Sequence, residues 1–226
     1  MALILNIETA TTNCSVSLSK EGKTLVLKED YDKTYSHAER LHVYIDAVIQ
    51  EAQISREQID AIAVSKGPGS YTGLRIGVSA AKGLCFALGK PLISIATLEA
   101  LAHQVKSNDG IIIPMLDARR MEVYSAIFDA NYNPIRDTQA QILEETSFHE
   151  YLEKGKVHFI GNGVEKTKGL IKHPNAIFVE GKLPSADQMS LLAYNKYQEN
   201  LFEDVAYFEP YYLKDFVALK SRKKLS

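Results

Sequence analysis

The sequence predicts an α/β protein of two lobes, each a mixed sheet flanked by helices, and three observations predict it. The eleven residues from Gly67 to Gly77 (GPGSYTGLRIG) join an apolar, β-type run to a stretch with helical spacing through a glycine-rich turn. At the start of the chain a meander of three strand-like runs gives way to alternating helix and strand, the grammar of a sheet covered by helices. After Ser107-Asn108-Asp109-Gly110 the same order begins again, so the second lobe repeats the topology of the first.

Each element has a local reason. Leu3 to Ile7, Cys14 to Ser19 and Thr24 to Asp30 read as the first three strands, the last two joined by a Lys-Glu-Gly-Lys turn. Ser36 caps a helix running to about Ala52, with Glu39 at the capping-box position and Leu41, Ile45, Val48 and Ile49 as its apolar stripe. A strand over 59–65 leads through the glycine turn to a helix over 70–88, capped by Ser70 or Thr72 and closed by Gly89. Pro91 to Ile95 is a strand and Thr97 to about Lys106 a helix, which completes a first lobe over residues 1–106. The second lobe, 107–226, has strands at Ile111 to Leu116, Glu122 to Asp129 and Pro134 to Ile142. A helix near Thr146 to Lys154, a strand at Val157 to Ile160, a helix after Gly161-Asn162-Gly163 and a strand at Ala176 to Val179 follow. The helix from Ser185 to Asn200 is expected to close it.

Composition narrows the class of protein. A net charge of −2 with 24% charged residues excludes binding to nucleic acid through a global positive field, so any such contact is local. Cys14 and Cys85 have no CxxC spacing and read as reduced core residues. MALILNIE carries no basic leader, and the longest apolar stretch, Leu74 to Leu88, is interrupted by Arg75 and Lys82; the expected setting is cytoplasmic, with no membrane contact. The cationic run from Lys220 to Lys224 is most simply a solvated or frayed end.

Two stretches invite function. At the glycine turn, Gly69, Ser70, Thr72 and Gly73 set backbone N–H groups and a helix N-terminus toward one spot where an anion fits, although a ligand-free strand-to-helix connection explains the same spacing. It is no Walker loop, because Gly73 is followed by Leu74 and Arg75. The helix that follows is apolar on two sides. Leu74, Val78, Ala81 and Cys85 form one stripe, and Ile76, Ala80, Gly83 and Ala87 another nearly opposite. Its own sheet covers one, so the second, with Gly73 and Gly77 beside it and Val43 and Ala47 on the first helix, is expected to receive a partner. The alternative is that helix 37–52 covers it within the chain.

At this point a resemblance enters. ILNIETATTNCSVSL, GPGSYTGLRIG, AKGLCFALGKPLISIATLEALA, LDARRMEVY and EPYYLK together resemble the TsaB family, also called YeaZ, over most of the chain and most densely in its first 125 residues. The resemblance implies two ribonuclease-H-like lobes of the actin and sugar-kinase type. It implies a non-catalytic scaffold that pairs with a TsaD-type catalytic subunit, with a TsaE-type ATPase completing the machinery; the second stripe, which can pair with its own copy by two-fold symmetry, further predicts a homodimer when the chain is alone. That machinery makes threonylcarbamoyladenosine beside the anticodon of tRNAs reading ANN codons, and the chain would reach tRNA through it.

No cofactor, metal or catalytic residue is implied for this chain. Catalytic relatives hold a metal with two histidines four apart; Thr97 and Leu101 stand at those positions here, and His103 is left alone. His37 and His42 are five apart, about 140° round a helix, and do not replace them. Glu8, with Thr11 in the loop Thr9 to Asn13, stands where kinase-like relatives position phosphate and magnesium. The family's usual Asp is Glu here, and accepting N–H bonds from its own turn is the structural account. Gly161-Asn162-Gly163 borders an adenosine pocket or simply starts a helix. Asp117, Arg119, Arg120 and Glu122 crowd a hairpin, with Met121 where relatives often have Gly; they are surface ion pairs or a cluster facing the cleft. The rival function is a small-molecule kinase or ATPase using Glu8 and the Gly67 to Gly77 loop, for which the sequence supplies one acid and an incomplete cradle.

Overall fold

The computed structural model describes residues 2–30 and 37–214. In chain order these form β1 (Leu3–Glu8), β2 (Cys14–Lys20), β3 (Lys23–Asp30), α1 (His37–Glu51), β4 (Ala61–Gly67), α2 (Tyr71–Leu88), β5 (Leu92–Ala96) and α3 (Thr97–Ala102). Then come β6 (Ile111–Asp117), β7 (Glu122–Asp129), β8 (Pro134–Ile142), α4 (His149–Leu152), β9 (Val157–Ile160), α5 (Val164–Leu170), β10 (Ala176–Val179) and α6 (Ala186–Gln198). Ser36 and Lys220 to Lys224, named above as a cap and a basic tail, lie outside the described residues.

The strands make two five-stranded sheets, ordered β3-β2-β1-β4-β5 and β8-β7-β6-β9-β10. In the first, β1 runs antiparallel to β2 and parallel to β4; in the second, β6 is antiparallel to β7 and parallel to β9. Order and direction therefore coincide, and the expected two ribonuclease-H-like units with mixed sheets are present. α1 and α2 cover one face of the first sheet over Leu5, Ile7, Val16 and Leu18. α4 and α5 cover one face of the second, where Phe148 and Phe159 meet edge to face.

The remaining helices correct the sequence reading. α3 ends at Ala102, four residues short of expectation, and its Leu98 and Leu101 pack on the second sheet with Ile112, Leu116 and Phe128. α6 does not close the second lobe. Its Ala186, Met189 and Ala193 pack on Ile4, Ala61, Ile93 and Ile95 of the first sheet. The reason lies in β2, CSVSLSK, in which serine alternates with apolar residues. Cys14, Val16 and Leu18 do face the apolar core, but Ser15, Ser17 and Ser19 are buried on the opposite side beneath α6. Ser17 Oγ donates to Ala186 O (2.9 Å), the Ala186 N–H donates to Ser15 Oγ (3.0 Å), and Asn6 Nδ2 donates to Ser17 and Ser19 Oγ (3.1 Å each). A serine face can be buried because a helix start supplies complementary polar groups. α4 is shorter than expected because Phe148, just before it, sits at φ +65°.

Residues after α6 also return to the first sheet. The Glu203 N–H donates to Leu92 O (2.8 Å), Lys82 Nζ donates to Ala206 O and Phe208 O (3.1 and 3.0 Å), and the Tyr211 N–H donates to Lys66 O (2.7 Å). This strap carries Tyr211 to Lys214 to the mouth of the cleft between the sheets.

Candidate functional site

Two concavities collect the residues singled out in the sequence. The first is a shallow groove of about 690 Å³ between α1 and α2, bordered by Ala38 and His42 on one side and by Ile76, Ala80 and Gly83 on the other. α2 forms as expected: Ser70 is its N-cap, accepting from the Gly73 N–H (3.3 Å), and Gly89 closes it at φ +63°. Leu74, Val78, Ala81 and Cys85 are buried toward the sheet, whereas Ile76 and Ala80 are half-buried and Gly83 and Ala87 exposed. A methyl group added at Gly83 would meet no atom within 4 Å. Phe86, seven residues and so about two turns beyond Ser79 on the same side of α2, is 86% exposed.

Five of the expected groove residues do not border it; one, Ala87, is exposed a turn beyond Gly83. Gly73 and Gly77 are on the buried side of α2, and a Cβ on either would collide with Thr9 O or Thr9 Oγ1; they are glycines because β1 continues into a turn pressed against the helix. Val43 and Ala47 lie about 100° or more round α1 from the line of Ala38 and His42 and do not border the groove. Ala38 and His42, four apart on one face of α1, escape an analysis of apolar stripes because one is small and the other polar.

The second concavity is the cleft between the sheets, about 790 Å³, which brings together Thr11, Gly69, Ser70, Thr72 and Gly73 from the first lobe with Asp117, Arg119 and Asn162 from the second. The expected anion cradle is largely consumed by internal bonds. The Ser70 N–H donates to Ala10 O (2.7 Å) and the Gly73 N–H to Ser70 Oγ, while Gly69 has no room for a side chain because Ala10 O lies 2.5 Å from where its Cβ would be.

Glu8 is not on the cleft surface but beneath it, with no exposed area. Its Oε1 accepts from the Ala10 N–H (2.6 Å) and from Ser65 Oγ (2.8 Å), and its Oε2 has no hydrogen-bond partner among the described residues. Burial pushes its pKa from 4.5 to about 7 against the opposing pull of those two donors. Beside it, burial raises the thiol of Cys14 to about 12, which leaves that cysteine a neutral core residue. His37 is buried with its Nε2 2.6 Å from Thr11 O, so that nitrogen carries the proton; burial lowers the pKa of the ring.

On the far wall the hairpin residues are organised by a side chain that sequence analysis did not single out. Lys166 Nζ on α5 donates to Asp117 Oδ1 (2.7 Å), Arg120 O (2.8 Å) and Glu122 O (2.6 Å), and Asp117 also accepts from the Arg119 N–H (2.6 Å). Asn162 Oδ1 accepts from the Asp117 N–H (2.8 Å), which pins the Gly161-Asn162-Gly163 turn to β6. Glu122 pairs with Lys214 of the strap. The left-handed residues are Arg119 and Arg120 (φ +69° and +50°), not Met121. No local pattern announces a lysine more than forty residues away.

Thr97 and Leu101, which the resemblance sets against a metal-holding pair, have structural duties here. Thr97 Oγ1 accepts from the Gly67 N–H (3.1 Å), and Leu101 is buried against the second sheet. His103 stacks on Tyr132 with ring centroids 4.0 Å apart, and burial lowers its pKa. Among the described residues no three His, Cys, Asp or Glu side chains are grouped to hold a metal ion, and no helix is long and apolar enough to cross a membrane.

Comparison with known proteins places this geometry. The family model described as TsaD, tRNA N6-adenosine threonylcarbamoyltransferase, matches residues 33–221. The tRNA threonylcarbamoyladenosine biosynthesis protein TsaB of Escherichia coli is 31% identical over 226 residues, 96% of each chain. Its Bacillus subtilis namesake is 34% identical over 125 residues, about half of each. Among solved structures, YeaZ from Pseudomonas aeruginosa superimposes with a TM-score of 0.82 at 26% identity, covering 94% of this chain and 100% of that one.

Proposed function

The chain belongs to the TsaB (YeaZ) family, and from that premise we propose that it is a cytoplasmic, non-catalytic scaffold in the making of threonylcarbamoyladenosine on tRNA. In this reading it pairs with itself when alone and with a TsaD-type catalytic subunit when that is present, a TsaE-type ATPase acts on the pair, and tRNA is reached through the assembly. The observation that carries the reading is the open groove between α1 and α2, with Ile76, Ala80 and Gly83 along its floor and Phe86 standing free beside it. An amphipathic helix normally hides its second apolar side, and one left open on a water-exposed surface fits a partner. One patch can pair with its own copy by two-fold symmetry, and a specific contact would cover on the order of 800 Å² per partner.

A silent catalytic role is supported by what occupies the decisive positions. Thr97 and Leu101 are committed to backbone and core, Glu8 is sealed under its turn, and the N–H groups of Ser70 and Gly73 are spent within the chain. Phosphoryl transfer asks for metal-holding acids and a free phosphate cradle in one place, so the kinase reading loses its support.

The test is Ala80→Arg. Ala80 is half-buried on the groove floor, so an arginine there extends into water in the free chain but is desolvated and unpaired beneath a partner, at a cost of several kcal/mol. Light scattering should report a monomer with an unchanged circular dichroism spectrum, and co-purification with the TsaD-type subunit should fail. A folded variant that still assembles refutes the groove as the interface.

A further inference from the structure

We propose that the tip of the β6–β7 hairpin, Arg119 and Arg120, is a docking point for the phosphodiester backbone of tRNA; the identity of the nucleic acid rests on the function proposed above. Both arginines are exposed. The acids around them are already neutralised: Asp117 binds Lys166, and Glu122 binds Lys214. Neither guanidinium has an ion pair or hydrogen bond to a described residue, so four cations stand at this corner against two carboxylates, in a chain whose net charge is −2. The surplus is local, as it must be if a protein of this composition touches nucleic acid at all.

The corner is also held still. Lys166 clamps the carbonyls of Arg120 and Glu122 as well as the Asp117 carboxylate, so the hairpin presents its arginines from a fixed frame. Both adopt left-handed backbone conformations, which a side chain occupies at a cost and glycine does not. Two planar forks on a rigid turn suit phosphate oxygens, which guanidinium groups bind in pairs. An acidic protein surface would satisfy the charge, but the neighbouring side chains favour RNA. Arg119 enters the cleft alongside Tyr124, Tyr211 and Tyr212, and rings beside cations suit a strand whose bases can stack.

The experiment uses the full chain assembled with its TsaD-type partner and a transcript of a tRNA reading an ANN codon. The double variant Arg119→Gly, Arg120→Gly removes both charges and suits the positive φ angles, so the hairpin is kept. In filter binding over a salt series, tRNA affinity should fall about tenfold at low salt and the slope of log K against log salt should flatten by about 2. Arg119→Lys with Arg120→Lys should restore most of the slope, and capture of the partner through the α1–α2 groove should be unaffected. Unchanged affinity and slope in the glycine variant overturn the inference. So does unchanged tRNA binding with weakened partner capture, which would make the corner a site for an acidic protein. An assembled wild-type complex that holds no tRNA overturns it and leaves the groove reading standing. If instead Ala80→Arg assembles normally while the glycine variant loses tRNA, the groove reading falls and this one survives.

Discussion

The two lobes share strand order and strand direction but not the helices laid on them. On the first sheet α1 and α2 run 15 and 18 residues, whereas α4 and α5 on the second run 4 and 7. The cores compensate. Buried members of the first are aliphatic or cysteine, while the second fills the space its short helices leave with Phe148 and Phe159, stacked in turn on Phe178. Topology therefore fixes where the glycine turns and the cleft lie, and helix length decides which lobe has surface to spare. Among the described residues only the first has two long helices side by side with an open groove between them, so one fold supplies the proposed assembly face on one half and a charged hairpin on the other.

The glycine turns give the sharpest way to break this comparison, with the largest expected effect. Gly67-Pro68-Gly69 and Gly161-Asn162-Gly163 follow equivalent strands, and their first glycines sit at φ +110° and +109°. Each turn is pinned to the first strand of its sheet or the loop after it, the Ser70 N–H on Ala10 O and the Gly163 N–H on Met115 O (3.3 Å). The space at the third residue differs. A Cβ on Gly69 would lie 2.5 Å from a backbone oxygen, Ala10 O, but one on Gly163 meets only side chains, the nearest Val123 Cγ1 at 2.9 Å. Gly69→Ala should cost about 3 kcal/mol and Gly163→Ala about 1 kcal/mol in urea unfolding, since a side chain can shift more easily than a backbone held by the Ser70 N–H. Equal costs would mean that the first-lobe turn is as free to move as the second.

Glu8 gives the next effect. Its pKa is raised from 4.5 to about 7 in the fold, so between those values the folded chain binds more protons than the unfolded one. Its contribution to stability is fully present below pH 4.5 and is lost as pH rises through 7, by up to about 3 kcal/mol. Glu8→Gln keeps an oxygen for the Ala10 and Ser65 donors and should flatten that part of the stability profile, most visibly as a gain at pH 8. A profile unchanged by the substitution would show that the carboxylate is hydrated rather than sealed.

A smaller effect tests how α6 is held. Ser185 caps α6 through the Asp187 N–H (3.2 Å) and also donates to Glu29 Oε2 (2.6 Å) on the first sheet. Ser185→Ala should cost about 1 to 2 kcal/mol and raise hydrogen exchange in α6 before the rest of the sheet. Uniform exchange would mean that α6 opens only with the whole lobe.

What the sequence made legible follows from the range of the interactions involved. Strand and helix positions were readable almost throughout because period, caps and glycine turns are local, down to Ser70 and Gly89 at the ends of α2. The second stripe of α2 was readable in part, since Ile76, Ala80 and Gly83 do border the groove. Gly73 and Gly77 were misassigned because a glycine reports only that something comes close, and here it is Thr9 of the same chain. α6 was expected on the second lobe, whose strands it follows in the chain, and nothing local to it announces the distant first sheet on which Ala186, Met189 and Ala193 pack. Lys166 went unseen because its partners lie 44 to 49 residues away.

The smallest expected effect on stability is the most informative about function. Gly83 lies within α2, where glycine is unfavourable, and a methyl group there meets nothing in the chain. Gly83→Ala should therefore stabilise the isolated chain by about 0.5 to 1 kcal/mol through helix propensity alone. If the groove is where a second helix approaches closely, the same methyl group stands in its path. Assembly should then weaken although the monomer is more stable, the opposite signs separating a partner's need from the fold's own. The measurement is a pair: unfolding of the Ala80→Arg, Gly83→Ala double variant against Ala80→Arg alone, which reads the monomer, and light scattering of Gly83→Ala by itself, which reads assembly. A gain in stability with assembly unchanged would leave Gly83 clear of the contact and move the interface toward Ala38 and His42 on the α1 side of the groove.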